Sequence, residues 1–206
     1  KNSELLISLG CKAVVVACNT ATTNAISVLR NEYDIPFIGI EPATKSAALQ
    51  TKSGKIGVLA TKGTLKSELF LTTSSQFRGH LEIIEAEGIN LVRLIEKGDL
   101  DATIPLLKKY LLPMVEKGVD NIVLGCTHYP FLIPIIRELI PKGISVVDSG
   151  EAVAKQTLNV MQETALLKSS KSEVGKSFYT NGDEKVLASF LERIQLPAST
   201  ISFKDF

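Results

Sequence analysis

The sequence predicts an α/β fold with mainly parallel sheets, arranged as two pseudosymmetric units, on three observations. Short apolar, β-branched runs alternate with helical stretches along the chain, the pattern of βα units with parallel strands. The run Asn121-Ile-Val-Leu-Gly125 gives way to Cys126-Thr127-His128 and then Pro130, a strand handing over to a helix. Finally, the chain repeats itself. With Cys18 set over Cys126, Val14-Val15-Val16-Ala17-Cys18-Asn19-Thr20 matches Ile122-Val123-Leu124-Gly125-Cys126-Thr127-His128. Gly10 and Gly118 occupy the helix C-cap position ahead of each strand, and the apolar runs Phe37-Ile38-Gly39-Ile40 and Ser145-Val146-Val147 follow each cysteine. Each copy reads helix, glycine, strand, cysteine, helix, strand.

In chain order, residues 3–10 read as the end of a helix and Lys12 to Ala17 as a strand. Asn19, Thr20, Thr22 and Thr23 then precede a helix expected over Asn24 to Asn31. Pro36 to Ile40 is the next strand, Glu41-Pro42 a turn, and Ala43 to Gln50 a helix. Ser53-Gly54 opens a strand over Lys55 to Ala60, and Thr61-Lys62-Gly63-Thr64 forms its loop into a helix reaching about Arg78. A strand near Leu81 to Ala86, an amphipathic stretch from Ile89 to Lys97 and a long helix from Asp101 to Lys117 lead into the second cysteine strand. Its helix is expected over Phe131 to Ile140. Asp148-Ser149-Gly150 turns into a helix from about Glu151 to Leu167, and Lys168 to Lys176 reads as a surface loop. Ser177 to Thr180 is a strand, Asn181-Gly182-Asp183 a turn, Glu184 to Ile194 a helix and Ser199 to Phe203 a last strand.

Composition bounds the function. With 45% hydrophobic and 22% charged residues the chain reads as an ordinary soluble globular protein, of one large or two small domains. A net charge of +1 without a basic stripe argues against a nucleic-acid partner. No apolar run approaches a membrane span and no signal peptide is expected. Three cysteines are too few for a disulfide framework and suit a reducing cytoplasm. The loop at Thr61 lacks the G-x-x-x-x-G-K-[ST] spacing of a nucleotide site. No metal-ligand cluster stands out.

The chemistry gathers at the repeat. A thiol, a hydroxyl and an imidazole lie together where a parallel strand ends, which is where open α/β sheets bind ligands. Two such ends, each carrying a cysteine, predict that Cys18 and Cys126 face one another as the site. A helix N-terminus is expected to favour a thiolate there. Cys11 reads as a structural thiol and His80 as a surface residue. Glu96 ends an amphipathic stretch, where most glutamates are simply solvated.

Ala17-Cys18-Asn19-Thr20-Ala21 together with Gly125-Cys126-Thr127-His128-Tyr129-Pro130 resembles the aspartate/glutamate racemase family, on its glutamate-specific side. The resemblance extends over Ile40-Glu41-Pro42-Ala43, the Thr61/Thr64 loop, Val147-Asp148-Ser149-Gly150 and Tyr179-Thr180-Asn181-Gly182-Asp183. It implies two α/β domains with the site between them: 1–42 plus 147–206, and 43–146. It implies a racemase interconverting L- and D-glutamate without a metal or pyridoxal cofactor, supplying D-glutamate for peptidoglycan. Cys18 would deprotonate the D enantiomer and Cys126 the L enantiomer. His128 would assist proton movement and Glu96 belong to the catalytic set, although Gly88-Ile89 stands where the family often has Cys-Pro. Asn19, Thr20, Thr61, Thr64 and Thr127 would hold the ammonium and carboxylates. A cytoplasmic homodimer is expected. The resemblance also implies a preceding segment with an Asp-Ser-Gly turn and a Pro-Tyr-Gly loop, on the order of 60 residues, so the chain from Lys1 alone is expected to be inactive and poorly soluble. The alternatives are an aspartate or related amino-acid racemase, disfavoured by His128, and a catalytically silent binding fragment.

Overall fold

The structure, a computed structural model, describes residues 1–167, 175–196 and 200–205. In chain order its elements are α1 (Asn2–Ser8), β1 (Val14–Val16), α2 (Asn19–Glu32), β2 (Phe37–Gly39), α3 (Thr44–Gln50), β3 (Lys55–Ala60), α4 (Lys62–Leu65), α5 (Glu68–Ser75), β4 (Glu82–Glu87) and α6 (Leu91–Lys97). There follow a 3₁₀ turn (Asp101–Thr103), α7 (Ile104–Glu116), β5 (Asn121–Gly125), a second 3₁₀ turn (Tyr129–Leu132), α8 (Ile133–Leu139), β6 (Ser145–Val147), α9 (Gly150–Glu163), β7 (Phe178–Thr180), α10 (Glu184–Arg193) and β8 (Ile201–Phe203). Among the described residues every strand pair is parallel: β1-β2, the four-stranded sheet β4-β3-β5-β6, and β7-β8. The α/β fold and its parallel sheets are therefore as expected.

The four-stranded sheet holds most of the core. Alternating side chains of β3 and β5 point to opposite faces. Leu59, Ile122 and Leu124 join Leu91, Ile95, Leu107, Leu111 and Tyr129 under α6 and α7, while Ile56, Val58, Ala60 and Val123 meet Ala47 and Phe70 under α3 and α5. The β1-β2 pair has a smaller cluster, Val14, Ile26 and Phe37. Each fully buried aliphatic side chain stabilises by roughly 1.5–3 kcal/mol, so the larger cluster dominates. The Asp120 carboxylate ties the loop before β3 to the start of β5, accepting from the Thr51 hydroxyl at 2.7 Å and from the Lys52 and Ser53 N–H groups at 2.6 and 2.8 Å.

The repeat is visible in the backbone. Gly10 and Gly118 have φ of +85° and +81°, and each ends its helix in the same double bond. Gly10 N–H donates to Ile7 and Cys11 N–H to Leu6, as Gly118 N–H donates to Val115 and Val119 N–H to Met114. This is the left-handed helix stop that glycine accepts without a Cβ clash.

Several boundaries differ from expectation. Helix α2 begins at Asn19, directly after Cys18, rather than at Asn24. The Thr22 hydroxyl donates to the Val16 carbonyl and accepts from the Ile40 N–H, both at 3.0 Å, binding this early turn to the ends of β1 and β2. The residues after β3 form α4 and α5 rather than a loop and one helix, because the Ser67 side chain caps a new start at Phe70 N–H. The expected helices at Asp101 and Phe131 both open with a 3₁₀ turn, and α9 stops at Glu163. The expected loop over Lys168 to Lys176 falls largely outside the described residues, as does Ser199.

Candidate active site

Cys126 follows β5 and Cys18 follows β1, so each thiol stands at the carboxyl end of a parallel strand. Their environments differ. Cys18 is exposed and occupies the N-cap position of α2 in an extended conformation. Cys126 is buried, 8% exposed. Burial pushes its thiol above the ordinary value, and charge on Cys18 and Glu96 adds to the rise, outweighing the pull of the His128 and Tyr129 N–H groups. The expected lowering by a helix N-terminus is thus overruled at Cys126, because desolvation of a thiolate outweighs two backbone donors.

Two residues downstream, His128 places Nδ1 3.9 Å from Cys126 Sγ. Its Nε2 lies 3.2 Å from Glu96 Oε1, across from α6. Glu96, His128 and Cys126 thus form a continuous carboxylate–imidazole–thiol chain. Such a chain can carry a proton to or from sulfur, and the carboxylate stabilises the imidazolium this creates. The neighbouring Tyr129 is fully buried and donates its hydroxyl to the Gly88 carbonyl at 3.2 Å. A Cβ at residue 88 would fall 2.2 Å from that hydroxyl, so glycine there lets the cysteine turn seat on the end of β4.

The predicted binding residues separate into two groups. Asn19 and Thr127 line a cavity of about 120 Å³ with Cys126, Ile40, Leu124, Pro130, Asp148, Ser149 and Gly150. Asn19 is 3% exposed, and its Oδ1 has no hydrogen-bond partner. A buried acceptor without a donor costs about 1–3 kcal/mol. Thr20, Thr61 and Thr64 form a triangle of hydroxyls, 2.8 Å between Thr20 and Thr61 and 3.1 Å on the other two sides. Thr61 caps α4, its oxygen accepting from the Thr64 N–H at 3.4 Å. Thr64 is fully buried behind the other two.

Cys18 is not among the residues lining the cavity, though its chain neighbours join both groups, Asn19 in the cavity and Thr20 in the triangle. Asp148, Ser149 and Gly150 were missed as cavity residues. Their signal was their own position, a polar turn at the carboxyl end of a parallel strand. The Ser149 hydroxyl donates to the Glu41 carbonyl, joining the turn after β6 to the turn after β2. Among the described residues no group of three His, Cys, Asp or Glu is arranged to hold a metal ion.

Fold and geometry together define an α/β protein that presents two thiols at the ends of repeated parallel strands, one of them wired to an imidazole and a carboxylate. The sequence profile of the Asp/Glu/Hydantoin racemase family matches residues 2–157, and the chain belongs to that family. It is 44% identical over 181 residues to the glutamate racemase of Pseudomonas paraeruginosa, a match spanning 86% of this chain and 68% of that one. With the glutamate racemase of Cupriavidus pinatubonensis it shares 39% over 206 residues, 98% of this chain and 76% of the other. The fold is that of a Bacillus anthracis glutamate racemase, with TM-score 0.85, 28% identity and coverage of 100% and 78%. It also matches the Escherichia coli glutamate racemase solved with L-glutamate and the activator UDP-MurNAc-Ala, with TM-score 0.84, 30% identity and coverage of 98% and 77%.

Proposed function

We propose that this chain carries the acid–base site of a glutamate racemase, in which Cys18 and Cys126 exchange a proton with opposite faces of the substrate α-carbon. The observation that supports this most is the repeat made physical: two thiols at equivalent strand ends, one of them, Cys126, lining a cavity that the residue after the other, Asn19, also lines. In one direction the Cys18 thiolate removes the α-proton of D-glutamate, and the Cys126 thiol gives its proton to the opposite face, yielding L-glutamate. In reverse, Cys126 must first lose its proton, and His128 Nδ1 is the acceptor within reach, backed by Glu96. The raised Cys126 value suits the donor role, since the thiol form dominates at neutral pH. Asn19 and Thr127, which line the cavity, hold the substrate ammonium, and Thr20 and Thr61 offer hydroxyls to a carboxylate, with Thr64 holding Thr61 in place. The two-domain division into 1–42 plus 147–206 and 43–146, a cytoplasmic homodimer and a supply of D-glutamate to the cell wall complete this reading. Among the described residues no helix is long and apolar enough to cross a membrane.

The test exploits symmetry. Enantiomers have equal free energy in water, so the ratio of kcat/KM in the two directions is fixed and no variant can change it. Exchange of the α-proton with solvent deuterium escapes this constraint, because it needs only one half of the reaction. Cys18→Ala is expected to lose racemisation and to exchange L-glutamate preferentially; Cys126→Ala is expected to prefer D-glutamate. Equal residual exchange of both enantiomers in each variant would rule out the opposed-thiol reading.

A further inference from the structure

Helix α10 lies far along the chain from either cysteine, yet it packs on the imidazole. The Phe190 ring meets the His128 ring edge to face, with centroids 5.8 Å apart and planes at 79°. It also meets Phe131, in the 3₁₀ turn after His128, at 5.1 Å. The Arg193 guanidinium lies 5.7 Å from the centroid of the same Phe190 ring. Arg193 reaches on to α6, where Nη1 donates to the Ile95 carbonyl at 3.5 Å. Nη2 stands so close to Gly98 that a Cβ there would be 2.9 Å away. Ile95 immediately precedes Glu96. A single side-chain stack thus spans the two elements whose meeting point is the Glu96–His128 contact.

From this stack we infer that Phe190 and Arg193 are positioning residues: α10 clamps α6 against the His128 turn and so fixes which imidazole nitrogen faces Cys126. Glu96 is half-exposed, and an exposed carboxylate–imidazole pair held only by its own bond is worth little against side-chain freedom. Edge-to-face aromatic contact and a guanidinium over a ring add direction as well as energy. With the His128 plane fixed, Nε2–H donates to the Glu96 carboxylate and the Nδ1 lone pair is left toward the thiol. With the plane free, the ring populates both tautomers and the relay is intermittent. The inference rests on the two-thiol reading for its catalytic consequence, but not for the tautomer itself.

The chain has two histidines, which makes the test direct. Nitrogen-15 imidazole spectra of the full chain separate Nε2–H from Nδ1–H forms, and a His80→Gln protein assigns the signals. His128 is expected in the Nε2–H form in the unsubstituted protein. In Phe190→Leu it is expected to shift to a mixture, with kcat falling roughly 10- to 100-fold, KM little changed, and Phe190→Tyr restoring both. If Phe190→Leu does not fold, Arg193→Gln, which keeps the ring and removes the guanidinium, carries the same expectation. A mixed-tautomer spectrum in the unsubstituted protein overturns the inference, as does either variant folding with unchanged His128 populations. A protein without racemase activity that still shows the tautomer shift keeps the clamp and removes only the function proposed for the site.

Discussion

At Cys126 three physical effects compete, and their ranking decides the chemistry. Backbone N–H groups of His128 and Tyr129 favour the thiolate; burial and the charges of Cys18 and Glu96 oppose it, and the opposition wins. The sequence shows the donors, since a turn into a helix follows the cysteine, but not the burial, which comes from the place of Cys126 in the larger core cluster with Leu124, Tyr129 and Leu132. For the same reason the place of both cysteines at strand ends was legible and the burial of Thr64 was not. A repeat is a property of the string, whereas full burial of Thr64 behind Thr20 and Thr61 is a property of two chain segments more than forty residues apart. The burial difference between the thiols has a measurable consequence. Alkylation requires the thiolate and access to it. At neutral pH iodoacetamide is expected to label exposed Cys18 faster than Cys126, since burial both shields the Cys126 sulfur and holds it as the thiol. Because the Cys126 value is raised, its labelling should still climb at pH values where an ordinary thiol has levelled off. Peptide mass spectrometry over a time course reads both sites at once; Cys126 labelling first at neutral pH would contradict the burial argument.

Elements bounded by their own residues were the readable ones. Strand β3 runs from Lys55 to Ala60 as expected, because Gly54 at φ +70° starts it and the Thr61 cap ends it. The start of α2 was misplaced by five residues, because Asn-Thr-Ala-Thr-Thr is a poor helix former by composition. What makes it helical is tertiary: Thr22 is buried and bonds two strand ends. Placing that first turn is what carries Thr20 across to α4. There the fit is tight, since a Cβ at Gly63 would lie 2.7 Å from the Thr20 Cγ2 methyl. Gly63→Ala is therefore expected to rotate Thr20 away from Thr61 and Thr64. Helix propensity favours Ala by about 1 kcal/mol, which offsets the steric cost to stability and leaves the melting temperature nearly unchanged. Loss of a net hydrogen bond to substrate should raise KM for glutamate roughly tenfold. Thr20→Ser deletes the methyl and keeps the hydroxyl, so the double variant should recover KM. A single variant with unaltered KM, or a double variant no better than the single, would remove the triangle from substrate binding.

On the scale of the whole molecule, the cavity collects the carboxyl ends of four strands. Asn19 follows β1, Ile40 follows β2, Cys126 follows β5 and Asp148 follows β6, so two strands of the β1-β2 sheet and two of the four-stranded sheet end there. The sheets differ in the size of their cores, Val14, Ile26 and Phe37 against the two large clusters on either face of β3 and β5. Regions with fewer buried apolar contacts open at lower free energy. Without ligand, amides of β1 and β2 are therefore expected to exchange with deuterated solvent faster than those of β3 and β5. A ligand that binds only the closed arrangement stabilises it by about 2.7 kcal/mol at a hundredfold excess over Kd. Because it touches both sheets, any opening that separates them must release it. The weaker sheet gains most, since its local openings become as costly as parting from the ligand, whereas β3 and β5 already open only with the whole. Racemic glutamate, which turnover leaves unchanged in composition, should thus slow exchange in β1 and β2 more than in β3 and β5, by hydrogen–deuterium exchange on the unsubstituted chain. Uniform slowing across both sheets, or protection confined to the four-stranded sheet, would place the ligand elsewhere than this shared cavity.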